Sequence, residues 1–380
     1  MDISFITSSM TEGGAQRVIS VLAKHFSEKG YCVRILLTEK SEPTAYSMND
    51  SVDLVYLEQW AALNFKLSFK DRLFNKLEQM TARDQTTIRQ KQYFRRKSKI
   101  LAKYLKQNPT DVLYSFLVEP NIIVGLGSHK IDDRIIMAER NYPKKPMLTD
   151  GFIQLRNRCY SRADVCVFQT VEQKEMFPQE IQDKAVIIPN PVKQNLPQPH
   201  QGDRRKIIVN YCGLRDQKNL PLLIHAFSCV SAKHSDYSLE IYGEGSLRDS
   251  LNEMIRQLGI ENKAHILSFD PNIHKKIRDC AMFVMTSDYE GMPNSLIEAM
   301  AIGLPVISTD CLGGGARAVI NDGANGLLVP CGDAQAVADA MLDLIEHTDR
   351  AEMLSKNAVK IRETLAVDKI AEQWLRLAQQ

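Results

Sequence analysis

A chain of 380 residues is long for a single core and points to two domains. Its 44% apolar and 25% charged residues, with a formal net charge of only +2, exclude a disordered chain or a polyelectrolyte. No run of about 18 apolar residues occurs, so no spanning helix is expected, and eight cysteines without a Cys-x-x-Cys pair predict free thiols in a reducing cytoplasm rather than a zinc site. The acid at position 2 and the short apolar run after it read as a first strand, not a signal peptide.

In chain order, residues 3–7 predict a strand. A polar loop holding Gly13 and Gly14 follows, then an amphipathic helix (Val18, Ile19, Val21, Leu22, Phe26) and a strand over 33–37. Glycines at the start of a helix let backbone approach an anion. The spaced third glycine of a dinucleotide fingerprint is missing, which disfavours NAD or FAD. Residues 66–106 carry thirteen Lys/Arg against three acids, an excess of ten (13 − 3), with apolar residues at roughly helical spacing. A basic amphipathic helix suits an anionic membrane surface, with Lys91, Arg95, Arg96 and Lys97 as lipid contacts. The alternative is a solvated helix packed on its own domain. No groove-reading fold surrounds the segment, so nucleic acid is not expected.

Strands are predicted over 111–117, over 134–138 and over 163–168. The second ends at Glu139-Arg140, polar residues placed where α/β sheets bind ligands. Four prolines between 189 and 199 mark a linker. A second parallel sheet then opens with residues 207–212, followed by a loop holding Arg215 and Lys218, whose cations suit a diphosphate. Residues 239–242 form a strand ending at Gly243-Glu244-Gly245. Residues 283–287 form another, followed by Glu290-Gly291-Met292-Pro293-Asn294 and a helix that Asn294 or Ser295 can cap. Glu298 lies eight positions after Glu290, about one turn into that helix, and points towards the same crevice. Two carboxylates and a set of backbone donors suit a polyhydroxylated, phosphorylated ligand. Gly313-Gly314-Gly315 reads as one more helix start able to cradle a phosphate. Helices over 334–346, 350–365 and 369–377 complete the chain.

The stretch 290–298, EGMPNSLIE, resembles the Glu-x7-Glu motif of retaining GT-B glycosyltransferases, family GT4 in particular. Gly13-Gly14-Ala15, Asn190-Pro191, Gln217-Lys218-Asn219 and Gly243-Glu244-Gly245 match that family in order and spacing, so the resemblance covers essentially the whole chain. It implies an α/β protein of the GT-B fold, two Rossmann-like domains facing an interdomain cleft. Residues 1–188 would bind acceptor and include the basic helical segment 66–106. Residues 189–205 would be the linker, 206–362 would bind the nucleotide sugar, and 363–380 would cross back to the first domain. The variant A-E-R-N at 138–141 is similar to bacterial polysaccharide and lipid-linked oligosaccharide transferases.

The resemblance implies retaining transfer of a hexose or N-acetylhexosamine from a nucleotide sugar, with UDP expected, to a polyprenyl-diphosphate-linked glycan. Such a protein would sit on the cytoplasmic face of the membrane and need no metal or other cofactor. Glu290 and Lys218 are implied as catalytic. Gly14, Arg215, Lys218, Gly243, Glu290, Gly291, Met292, Pro293, Asn294, Ser295 and Glu298 would hold the donor, with Glu298 on the ribose. Gly13, Glu139 and Arg140 would face the acceptor. In two places the chain departs from the family: Gly213 stands where its phosphate-binding arginine is usual, and Ala318 where an acid is common. The other readings are a nucleotide-sugar epimerase or hydrolase of the same fold and a non-catalytic partner subunit.

Overall fold

The computed structural model describes residues 1–11, 13–39, 50–73, 76, 85–131, 133–144 and 149–379. The chain forms two compact units, Met1–Ile188 with Ile370–Gln380, and Pro189–Lys369. The stretch 189–205 is not a bare tether. Asn190 hydrogen-bonds to Met292 and Asn294, the Val192 amide donates to the Leu365 carbonyl, and Arg362 donates to the Pro197 carbonyl, so it is packed into the second unit.

In the first unit the described strands are β1 (Asp2–Thr7), β2 (Cys32–Leu37), β3 (Val52–Tyr56), β4 (Val112–Phe116), β5 (Arg134–Ala138), β6 (Val165–Phe168) and β7 (Ala185–Ile187). They pair in parallel in the order β3-β2-β1-β4-β5-β6-β7. Such strands are covered on both faces and read as continuous apolar runs rather than alternating ones; Val112 to Phe116 is buried at every position. The strand order turns back between β1 and β4. The helix Gln85–Gln107 lays Phe94, Ile100, Leu101, Tyr104 and Leu105 into this unit's core. Residues 74–75 and 77–84 of the basic stretch lie outside the described residues.

The second unit contains β8 (Arg205–Tyr211), β9 (Ser238–Tyr242), β10 (Ala264–Leu267), β11 (Cys280–Met285), β12 (Val306–Thr309) and β13 (Leu327–Val329), all parallel, in the order β10-β9-β8-β11-β12-β13. Here the order turns back between β8 and β11, where Phe283 pairs with Val209 on one side and Val306 on the other. Two expectations differ from the structure. Residues 313–319 form a turn, not a helix start, with Gly313 and Gly314 at φ 94° and 68°. The single helix expected over 350–365 is two, Thr348–Ala358 and Ile361–Thr364.

The last helix, Val367–Gln379, belongs to the first unit from Ile370 onward. Trp374 is fully buried there, stacked on Phe116 and edge-on to Tyr114, while the Tyr114 hydroxyl donates to the Trp374 carbonyl at 2.6 Å. All eight cysteines are free thiols. No described helix is long and apolar enough to cross a membrane.

Candidate functional site

Open α/β sheets bind ligands outside the strand C-termini where the strand order reverses. In the second unit that place lies between the loops after β8 and β11. Backbone and side chains stitch the two loops together: the Asp288 amide donates to the Gln217 carbonyl (3.0 Å), the Asn219 amide side chain to Asp288 (2.8 Å), and the Thr286 hydroxyl contacts the carbonyls of Lys218 and Asn219 (3.1 Å each). Asn219 takes the left-handed conformation at φ 44°, which asparagine tolerates better than most side chains.

Across this junction Lys218 Nζ lies 2.5 Å from Glu290 Oε1. The Ser287 hydroxyl donates to the same oxygen at 2.8 Å, and Gln217 Nε2 to the other at 3.2 Å. Both side chains are largely sheltered, at 19% and 9% exposure. Burial works to lower the ionisation of Lys218, but the charge of Glu290 and its hydrogen bond, with Cys212 behind, outweigh it and the net direction is upward. The site is thus a sheltered carboxylate held by one ammonium and two neutral donors. The carboxylate can accept from hydroxyl groups and the ammonium can meet a phosphate.

The helix Asn294–Ala301 starts immediately beyond Glu290. Pro293 occupies its cap position and no side chain caps it. The expected capping by Asn294 or Ser295 does not occur; Asn294 Oδ1 instead accepts from Asn190 at 2.9 Å. The first turn of a helix leaves amides without intrahelical partners, which favours anions there. The turn at 313–319 presses against this segment. A Cβ on Gly315 would lie 2.0 Å from the Gly291 carbonyl oxygen, so only glycine permits the approach. Leu312 also bonds both ways across it, accepting from the Glu290 amide and donating to the Asp288 carbonyl.

Glu298 is buried, with Oε2 2.7 Å from His274 Nε2. The His274 ring stands edge-on to Tyr211, whose hydroxyl donates to the Ser295 carbonyl at 2.8 Å. Glu290 and Glu298 therefore rest on different partners. Sequence reasoning missed His274, Ser287 and Tyr211, because none stands in a pattern that marks a long-range polar contact, and it read Gln217 only as part of the Gln217-Lys218-Asn219 match. Arg215 is exposed and folds back: its Nε lies 3.3 Å from where a Cβ on Gly213 would be. Its guanidinium fills the space that a side chain at 213 would otherwise enter. Gly243 allows the ends of β8 and β9 to close, since a Cβ there would meet the Cys212 carbonyl at 1.8 Å.

Several expected residues of the first unit are internal. Glu139 is fully buried, accepting from the amides of Arg140 (3.0 Å) and Asn141 (3.1 Å) and from the Tyr160 hydroxyl (3.0 Å). Arg140 is buried with its guanidinium over the rings of Phe116 and Trp374, 5.7 Å from each. Burial lowers its ionisation and Glu139 opposes that. Both charges of this pair, expected to face the acceptor, are engaged with groups inside the unit. Gly13 precedes the helix Gly14–Glu28, its carbonyl accepting from the Arg17 amide at 3.0 Å.

Of the four residues expected as lipid contacts, Lys97 is buried, which corrects its part, and Arg96 is partly exposed and engaged within the unit. Arg96 holds Glu58 through both nitrogens at 2.6 and 2.8 Å, and the buried Lys97 pairs with the same carboxylate at 2.7 Å. Lys91 and Arg95 stay exposed. The Arg96 hydrogen bond, against some burial and with help from Lys97, holds the Glu58 carboxyl down at about 2. A depressed folded-state value stabilises the protein above the unfolded value near 4.5, and the benefit is lost as pH falls towards 2. Glu58→Gln should therefore lower the neutral-pH denaturation midpoint, and its difference from wild type should close between about pH 4.5 and 2; a gap independent of pH would contradict this.

Among the described residues no group of three or more His, Cys, Asp or Glu is placed to hold a metal ion.

The chain thus comprises two parallel α/β units, the second with a carboxylate–lysine pair at its topological switch point. Residues 192–361 match the family described as "Glycosyl transferases group 1". Over 196 residues the chain is 31% identical to "Uncharacterized glycosyltransferase MJ1059" of Methanocaldococcus jannaschii, covering 47% of this chain and 48% of that protein, so it spans about half the length of that relative. Over 381 residues it is 25% identical to the Campylobacter jejuni protein named "GalNAc-alpha-(1->4)-GalNAc-alpha-(1->3)-diNAcBac-PP-undecaprenol alpha-1,4-N-acetyl-D-galactosaminyltransferase", covering 99% of this chain and 98% of that one. The crystal structure of Anabaena HepE in complex with UDP superposes with a TM-score of 0.76 at 17% identity, over 99% of each chain, which shows the fold. The chain has the GT-B fold of two parallel α/β units, and it is similar to bacterial polysaccharide glycosyltransferases.

Proposed function

We propose that this glycosyltransferase moves a hexosyl or N-acetylhexosaminyl group from a UDP-sugar to a polyprenyl-diphosphate-linked saccharide, with retention of anomeric configuration. The observation that carries the reading is the Lys218–Glu290 pair bridging the loops after β8 and β11. Support for the donor comes from the UDP complex of HepE, and for the acceptor from the PP-undecaprenol in the name of the Campylobacter relative.

In this reading the diphosphate meets Lys218, with Arg215 as helper, and the amides from Gly291 to Ser295 orient the sugar and its phosphate. Glu290 accepts from sugar hydroxyls and stabilises positive charge at the anomeric carbon. The acceptor hydroxyl attacks that carbon on the face the diphosphate leaves. The carbon–oxygen bond to the diphosphate breaks, and the hydroxyl proton passes to the departing phosphate oxygen, so no protein base is required. Sharing Lys218 between Glu290 and the incoming phosphate avoids leaving either sheltered charge alone.

Glu298 takes the ribose hydroxyls, positioned by His274. His274→Ala should raise KM for the donor about tenfold with kcat little changed, and His274→Gln, which keeps a donor towards Glu298, should recover most of the loss. An equal fall in kcat and kcat/KM would count against a binding role. For the function itself, the purified protein would be offered UDP-sugars with polyprenyl-diphosphate saccharides, products read by mass and anomeric configuration by NMR. Turnover of the donor without acceptor would show an epimerase or hydrolase. Donor binding with transfer only after a second chain is added would show a partner subunit.

A further inference from the structure

We infer that Leu63, Lys66, Phe69, Lys70, Arg72 and Leu73 form the surface that seats this enzyme on an anionic lipid bilayer, in place of the stripe on the helix Gln85–Gln107. The inference rests on the proposed function only in that the acceptor sits in a membrane. Leu63 is 89% exposed, Phe69 80% and Leu73 49%, three of the described chain's most exposed large apolar side chains within eleven residues. Single exposed leucines are ordinary; these alternate with Lys66, Lys70 and Arg72, all exposed. Phe69 and Leu73 stand four apart in a helical turn and so share a face.

Asp71 is the sole acid between Glu58 and Glu78, and it is taken by Lys99 and by the Ser68 hydroxyl. Lys103 donates to the Asn64 carbonyl. These two ties hold the segment against the long helix and leave Lys66, Lys70 and Arg72 exposed, Arg72 with its Nε on the Leu67 carbonyl. Apolar side chains that can enter the acyl boundary, ringed by cations that make no ion pair among the described residues, are the composition of an interfacial membrane anchor. The long helix lacks that composition, since its apolar side is buried in the core and Arg96 and Lys97 are spent on Glu58. Two of the three exposed apolar side chains are leucines, which offer no stacking plane for a base, and Phe69 alone does not make the row of aromatics on which successive bases stack.

The test is co-sedimentation with equimolar phosphatidylcholine–phosphatidylglycerol vesicles at low salt, beside phosphatidylcholine alone. Wild type should bind the anionic vesicles and not the neutral ones. The triple change Lys66→Ala, Lys70→Ala, Arg72→Ala should weaken binding about a hundredfold, at about fivefold per cation, and Lys91→Ala by no more than one such step. Phe69→Ser with Leu73→Ser should also lose binding. Equal binding by the triple variant and wild type overturns the inference, as does a Lys91→Ala loss as large as the triple's. Loss with the cation changes but none with the serine changes means a polyanion site and overturns it too. Transfer to a short-chain, water-soluble diphosphate acceptor keeps the two ideas apart: the surface variants should retain it, and its absence in wild type would reject the proposed function while leaving the vesicle result standing.

Discussion

Glu290→Gln is expected to lower kcat for transfer by a factor of about a hundred to a thousand while leaving the fold intact, in line with losing one preorganised electrostatic contact in a site. The substitution is chosen for its geometry. A glutamine oxygen can still accept from Lys218 and from the Ser287 hydroxyl, which lies 2.8 Å from Glu290 Oε1. What disappears is the negative charge proposed to act beside the anomeric carbon. Lys218→Ala differs, because it leaves a sheltered carboxylate with only neutral donors, a change that costs about 3–5 kcal/mol when the charge is well buried. Lys218→Ala should therefore lower both stability and donor affinity, whereas Glu290→Gln should change turnover with little shift in Tm. Turnover by Glu290→Gln within a factor of about two of wild type would remove the role proposed for this carboxylate.

The same sequence rule, polar residues just after a buried strand, singled out Glu139-Arg140 and Glu290. The structure separates them, and strand order explains why. β5 lies between β4 and β6 rather than at the reversal itself, and Glu139 turns onto the amides of the next two residues. β11 lies beside β8 at the reversal, and Glu290 meets side chains from a loop more than seventy residues earlier. Strand order in space is not written in local periodicity, so the two sites look alike in the sequence. Charge pairing hides for the same reason. Arg96 and Lys97 belong to a conspicuous basic run, yet Glu58, 38 residues from Arg96, claims both. His274 carries no local signal at all, because its significance comes from Glu298, 24 residues further on. By contrast, the run of apolar residues before the EGMPN turn was legible as a buried strand, since continuous burial leaves few other ways to read it. The glycine-rich loop at 313 reads in the sequence as a helix start, and its geometry was not legible. The positive φ values at Gly313 and Gly314 bend it into a turn against Gly291.

A large stability effect is also expected at Trp374. Trp374→Ala should cost the first unit about 3–5 kcal/mol, the usual range for emptying a large aromatic site. That is a substantial fraction of the roughly 5–15 kcal/mol by which a domain is stable. The cost is concentrated because the indole is the hub on which several chain segments meet. Phe116 stacks on it at 5.2 Å, Tyr114 stands edge-on at 5.5 Å, and the Arg140 guanidinium lies over its face. Without the ring, Arg140 loses one of the two aromatic faces covering a buried charge, so a packing defect becomes an electrostatic one as well. The indole N–H makes no hydrogen bond among the described residues. Trp374→Phe should therefore be milder than alanine, since it keeps an aromatic face and removes a buried unsatisfied donor. Hydrogen exchange provides the readout, with protection falling in β4 and β5 and remaining in β8 and β11. Uniform loss across both sheets would mean that the two units unfold as one, and unchanged protection would mean that the last helix contributes little to the first unit's core.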